Sequence, residues 1–160
     1  MKLLAVPVIA LSALGVANSA HAQAAPKIFV EGDMERGNQQ GVPPACVLNN
    51  VFKHLEKVVW RVRVRDPNGN PLDDKAVKSV VVELPDGKKF DARFGGHPPR
   101  GPTDTLWAAA WVIPMDYPTG TFNYKVTVTD NQGNTATWEP FKIATSQLRI
   151  EPGAIEIKKE

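Results

Sequence analysis

The residues able to do chemistry in this chain are few, and Cys46 comes first because it is the only cysteine. It follows Val42-Pro43-Pro44-Ala45 and precedes Val47-Leu48. A lone thiol closes no intramolecular disulfide. Three roles are left: a small buried hydrophobe, a ligand for a soft metal or haem iron, or a thiol joined to a partner. His97 stands in Gly95-Gly96-His97-Pro98-Pro99. That setting predicts an imidazole on a loop, with glycines that let a ligand approach the backbone. Cys46, His97 and Met115, with Met34 as a possible fourth donor, compose a soft set suited to copper or haem. A solvated loop histidine is the plainer reading of His97. His54, among Lys53, Glu56 and Lys57, is expected at the surface.

Two further patterns point to binding. In Thr105–Ile113, Trp107, Ala109, Trp111 and Ile113 share one strand face. If that face meets water, the two tryptophans form a platform for a protein partner or a sugar ring. If it meets the core, they are packing residues. Arg61, Arg63 and Arg65 share another strand face at about 7 Å intervals. They would bind carboxylates or phosphates, or else pair with acids of neighbouring strands.

Motifs for catalysis are missing. Asp73-Asp74 suits a turn, and Ser79 and Ser146 sit in no nucleophile motif. No glycine-rich phosphate loop leads into a helix, so the chain reads as non-enzymatic rather than as a hydrolase or phosphoryl transferase. No Cys-x-x-Cys-His segment can attach haem covalently, and no His/Cys spacing is that of structural zinc.

These residues must be positioned by strands. In Lys57–Asp66, Val58, Trp60, Val62 and Val64 alternate with Val59 and the arginines. The period of two predicts a half-buried strand. Val77–Leu84, Lys89–Phe94, Thr105–Ile113, Thr121–Thr129 and Thr135–Ile143 read as further strands. Gly95 to Pro102 reads as a long loop. Asp66-Pro67-Asn68-Gly69-Asn70-Pro71, Pro85-Asp86-Gly87-Lys88 and Asn131-Gln132-Gly133-Asn134 are turn signals. Val51–Lys57 has room for a turn or two of helix at most.

The segment Phe122-Asn123-Tyr124-Lys125-Val126-Thr127-Val128-Thr129-Asp130-Asn131-Gln132-Gly133-Asn134-Thr135 resembles the closing hairpin of bacterial immunoglobulin-like modules of the PKD and bacterial-Ig type. Val62-Arg63-Val64-Arg65-Asp66-Pro67-Asn68-Gly69-Asn70-Pro71-Leu72 resembles their strand-to-turn junction. The resemblance covers roughly Lys57 to Ile143. It implies an all-β fold, an antiparallel immunoglobulin-like β-sandwich of about seven strands. It carries over no catalytic residues, because such modules bind, space or decorate. The blue-copper proteins, also sandwiches, place Cys, His and Met together near the end, whereas here Cys46 precedes His54 and His97.

The 160 residues carry 19 Lys and Arg against 17 Asp and Glu, for a net charge of +2. That balance lacks the basic footprint of a nucleic-acid binder. Lys2, the apolar run Leu3–Val16 and Ala20-His21-Ala22 predict a bacterial signal peptide cut after Ala22. The run is too short for a spanning helix, so stable membrane insertion is not expected. The predicted organisation is a signal peptide over 1–22, an extended arm over 23–45, one sandwich over 46–150 and a flexible tail over 151–160. The destination is periplasmic or secreted. Three functions stay open: a module for a periplasmic protein partner, a haem or copper protein using Cys46 and His97, and a carbohydrate-binding module.

Overall fold

The computed structural model describes residues 27–39, 48–97 and 104–155, with the side chain of His97 left out. The described residues form eleven strands and no helix. In chain order these are β1 (Phe29–Arg36), β2 (Val51–His54), β3 (Lys57–Arg65), β4 (Val77–Glu83) and β5 (Lys89–Asp91). Then come β6 (Arg93–His97), β7 (Asp104–Val112), β8 (Gly120–Phe122), β9 (Lys125–Asp130), β10 (Thr135–Trp138) and β11 (Leu148–Ala154). The described chain is all-β, as its period-two pattern predicts.

Several expected strands divide, and each division moves the chain between sheets. Lys89–Phe94 splits at Ala92: β5 pairs with β4, and β6 pairs with β7. Gly95-Gly96-His97, expected in a loop, belongs to β6. Thr121–Thr129 splits at Asn123-Tyr124, sending β8 to β11 and β9 to β4. Thr135–Ile143 stops at Trp138, two residues before Pro140, which has no N–H to continue a ladder. Val51–Lys57 is not helical. β2 turns sharply into β3 through Leu55, whose φ is 67°.

Three turns share one mechanism. In Asp66–Asn70 and Asp130–Asn134 the first residue donates its N–H to the carbonyl of the fifth, at 2.9 and 3.0 Å. Gly69 and Gly133, at φ 85° and 83°, take the left-handed position that such turns require. Each aspartate side chain also accepts the N–H of the third and fifth residues at 2.8 Å. Leu84–Lys88 repeats the backbone pattern, with Gly87 at φ 85°.

The strands assemble as sheets ordered β1-β3-β7-β6, β10-β9-β4-β5 and β2-β11-β8. Every pair is antiparallel except β2–β11, which is parallel. Phe29–Arg36, expected in a loose arm, pairs residue for residue with β3. Leu148–Ala154 likewise forms a strand that reaches into the expected tail.

Inward residues of the two four-stranded sheets meet in one buried cluster. Trp60, Val62, Val64, Trp107 and Ala109 come from the first sheet, and Val77, Val80, Val82, Val126 and Val128 from the second. Trp60 lies at its centre. Its ring centroid is 5.2 Å from Phe90 and 6.0 Å from Tyr124. The Trp60 indole N–H is buried without a partner among the described residues. These ring contacts offset part of that cost.

Candidate functional site

β7 lies between β3 and β6, so one of its faces must enter the core. Trp107 is on that face and is 5% exposed. Its indole N–H donates to the Leu72 carbonyl at 3.1 Å, and its ring packs 5.4 Å from Phe94. Trp111 is half-buried against Tyr117, Phe90 and Trp60, at 4.8, 5.4 and 6.4 Å. The two tryptophans are packing residues and form no exposed platform.

The arginine row faces outward, and β1 and β7 supply its acids. Asp33 opposes Arg61 in the ladder, and Glu31 opposes Arg63. Arg61 donates two hydrogen bonds to Asp33, both 2.7 Å, and lies 3.2 Å from the buried Glu35. Arg63 pairs with Asp104, and that guanidinium holds the Asp104 carboxyl below the usual carboxylate range. Arg65 sits 3.8 Å from Glu31 and donates to the Gly69 carbonyl at 2.9 Å. The row is neutralised within its own sheet.

Cys46 and the His97 side chain lie outside the described residues. The His97 backbone ends β6, opposite Asp104. Met115 is 60% exposed, whereas Met34 is buried in the core. Among the described residues no group of three or more His, Cys, Asp or Glu side chains could hold a metal ion.

His54 corrects an expectation. It is 7% exposed rather than solvated. The sharp turn at Leu55 folds β2 back and tucks the imidazole under the end of β11. Nδ1 lies 2.8 Å from the Gly153 carbonyl, and Nε2 lies 2.8 Å from the Tyr117 carbonyl. Beside it, Glu56 is buried, accepts the Lys53 N–H at 2.7 Å and pairs with Arg36 at 3.0 Å. Neighbouring charges do not predict exposure when a tight turn reverses the chain inside them.

Among the described residues a concavity lies elsewhere, where the edge strands β1 and β10 of the two sheets face each other. It is a cleft of about 340 Å³. Gly32, Asp33 and Met34 of β1 form one wall, and Tyr124 and Trp138 form the floor. Leu48, Asn49 and Asn50 line it too, with Pro140, Phe141, Thr145 and Ser146 of the adjoining loop. The Trp138 ring packs directly on the β1 backbone. A Cβ on Gly32 would come within 3.3 Å of Trp138 Cζ3 and 3.2 Å of the Arg61 carbonyl oxygen. Tyr124 lies 6.1 Å from Trp138 in a tilted arrangement. Burial, helped by the charge of Asp33, pushes the Tyr124 phenol well above its usual range, so it stays a neutral donor. Asn50 donates to the Ala144 and Gln147 carbonyls at 2.6 and 3.1 Å, tying down the loop that carries Phe141.

Phe141 is 80% exposed and Leu48 is 64% exposed, both on the cleft rim, with Ile143 exposed in the same loop. A single strand over residues 135–143 would not show Phe141 and Ile143 as loop side chains. The signal that marks them is Pro140, which ends the ladder and turns the apolar Phe141 and Ile143 into loop residues. No helix among the described residues is long and apolar enough to cross a membrane. Comparison with protein-family models and with curated proteins finds no match for the chain.

Proposed function

We propose that this chain is a non-enzymatic binding or accessory module of the bacterial periplasm. In this reading its sheets form an immunoglobulin-like sandwich, and the β1–β10 cleft engages an apolar segment of a protein partner. The observation that carries it is the pairing of this cleft with an exposed Phe141 and Leu48 on its rim. Large apolar side chains beside an open cleft favour a binding surface over a bare structural role. The surface moves from β7, where the tryptophans are spent on the core, to the edge between the sheets. The signal peptide that the sequence of residues 1–22 predicts, with its cut after Ala22, supports the compartment.

A display library of random linear peptides, selected on the purified chain, tests the proposal. Apolar peptides are expected, with binding lost in Phe141→Asp and kept in Phe29→Asp, whose side chain lies off the cleft. Selected peptides that bind both variants alike would sink the reading.

A second reading rests on the polar part of the same cleft. Trp138 and Tyr124 offer ring faces, and Asn49, Thr145 and Ser146 offer amide and hydroxyl groups, a combination that suits a sugar. Titration of tryptophan emission with soluble oligosaccharides separates the two. A saturable change abolished in Trp138→Ala favours the sugar.

A further inference from the structure

His54 is held in a way that a neutral imidazole cannot satisfy. Both ring nitrogens lie 2.8 Å from backbone carbonyl oxygens, Gly153 on one side and Tyr117 on the other. A carbonyl only accepts, and a neutral imidazole has one N–H. Whichever tautomer it adopts, one nitrogen presents a lone pair to an oxygen. The imidazolium form donates at both positions and satisfies both contacts.

We propose that His54 is a proton-operated clasp between three segments. Protonated, it fastens the end of β11 and the 114–117 turn onto β2. When the proton leaves, either the buried Tyr117 carbonyl or the part-buried Gly153 carbonyl loses its donor, and the junction loosens. From Leu148 to Ile150 β11 is held by β8 as well, and the Tyr117 ring packs on Trp111 and Phe122, so the clasp acts on the ends of these segments. β11 pairs with β2 at Arg149, at Ile150 and then only at Ala154, with an irregularity between. Past Gly153, the Ile155 N–H reaches the His54 carbonyl at a long 3.2 Å. The Tyr117 N–H reaches the Pro114 carbonyl at 3.2 Å. The imidazole is therefore the side-chain tie between the end of β11 and the 114–117 turn.

Other charges surround this corner. The β2–β3 turn carries Lys53 and Glu56, and Glu56 is engaged by Arg36. The 114–117 turn carries Asp116, and Lys88 sits 4.9 Å from the centre of the Tyr117 ring, with Asp86 bonded to Lys88 at 2.6 Å. β11 carries Arg149 and Glu151, which pair with each other at 3.0 Å. None of these provides the hydrogen bond that the second carbonyl would lack.

Nitrogen-15 NMR of the His54 ring, with amide exchange of Ile155, tests the clasp on the unaltered chain between pH 5 and pH 9. Two protonated ring nitrogens are expected at the acid end and one at the alkaline end. Ile155 protection, corrected for the intrinsic pH dependence of exchange, should fall about tenfold with the same midpoint. Protection of Val126 and Val128 in β9 should not follow that midpoint. His54→Gln, with a donor at only one end of its amide, should show the weakened Ile155 protection at both pH values. A ring with a single N–H throughout, or Ile155 protection that ignores the titration, overturns the proposal. The ring spectrum decides even if the variant does not fold.

Discussion

Two strands present tryptophan very differently. β7 is flanked by β3 and β6, and its Trp107 and half-buried Trp111 pack toward the core. β10 is a sheet edge with one partner, β9, and its half-buried Trp138 lies over Gly32 of β1. The residue type is the same, but the number of neighbouring strands differs. A central strand has one inner face, and large side chains there fill the space between sheets. At an edge, the same ring bridges a gap between backbones and lines a cleft. Exposure of aromatics must therefore be read with strand order in hand.

The largest expected effect follows from the buried side of this contrast. Trp107→Ala should cost about 3–5 kcal/mol in urea unfolding, as truncation of buried aromatics does. Trp138→Ala should cost roughly half of that, since its ring is only half-buried. Equal costs would erase the distinction between the strands.

The arginine row gives a second, internal contrast. Arg61→Ala removes the cation 3.2 Å from the buried Glu35 and should cost about 2–3 kcal/mol, less than a fully buried pair because Arg61 is itself part-exposed. Arg65→Ala, at a looser and more exposed pair, should cost about 0.5 kcal/mol or less. Chemical denaturation of the two variants checks the ordering.

Acid should act on the turns next. Hydrogen bonds from Asn70 and Asn134 hold the Asp66 and Asp130 carboxyls below their usual range. A lowered folded value means the stabilisation is complete above the unfolded value of about 3.9 and disappears as pH falls through the folded one. Thermal melts below pH 4 should decline less in Asp66→Asn and Asp130→Asn than in the parent chain. The smallest change in stability belongs to Phe141→Asp. It should stay within about 0.5 kcal/mol of the parent while abolishing peptide capture, which would sharpen the division between a core strand and a binding edge.

Much of the architecture was legible from local pattern. Val58, Trp60, Val62 and Val64 alternate with Val59, Arg61 and Arg63 and are buried as that period of two requires. The Asp-x-x-Gly-Asn turns are legible too, because their hydrogen bonds close within five residues. The candidate site was not. Phe141 and Leu48 are 93 positions apart by their numbering, and neither carries a local signal of the other. His54 misled for a related reason, since its acceptors are 63 and 99 positions away.

Local chemistry is thus enough to establish that the described chain is all-β, where its turns fall and which face of β3 is apolar, because period and turn geometry act over a few residues. Sheet order is a long-range matter. It decides that β1 and β7 flank β3 and neutralise the arginines, that the β7 tryptophans pack toward the core, and that the β1 and β10 edges leave a cleft between them. Those outcomes depend on which strands become neighbours, and pairing across the whole chain sets that.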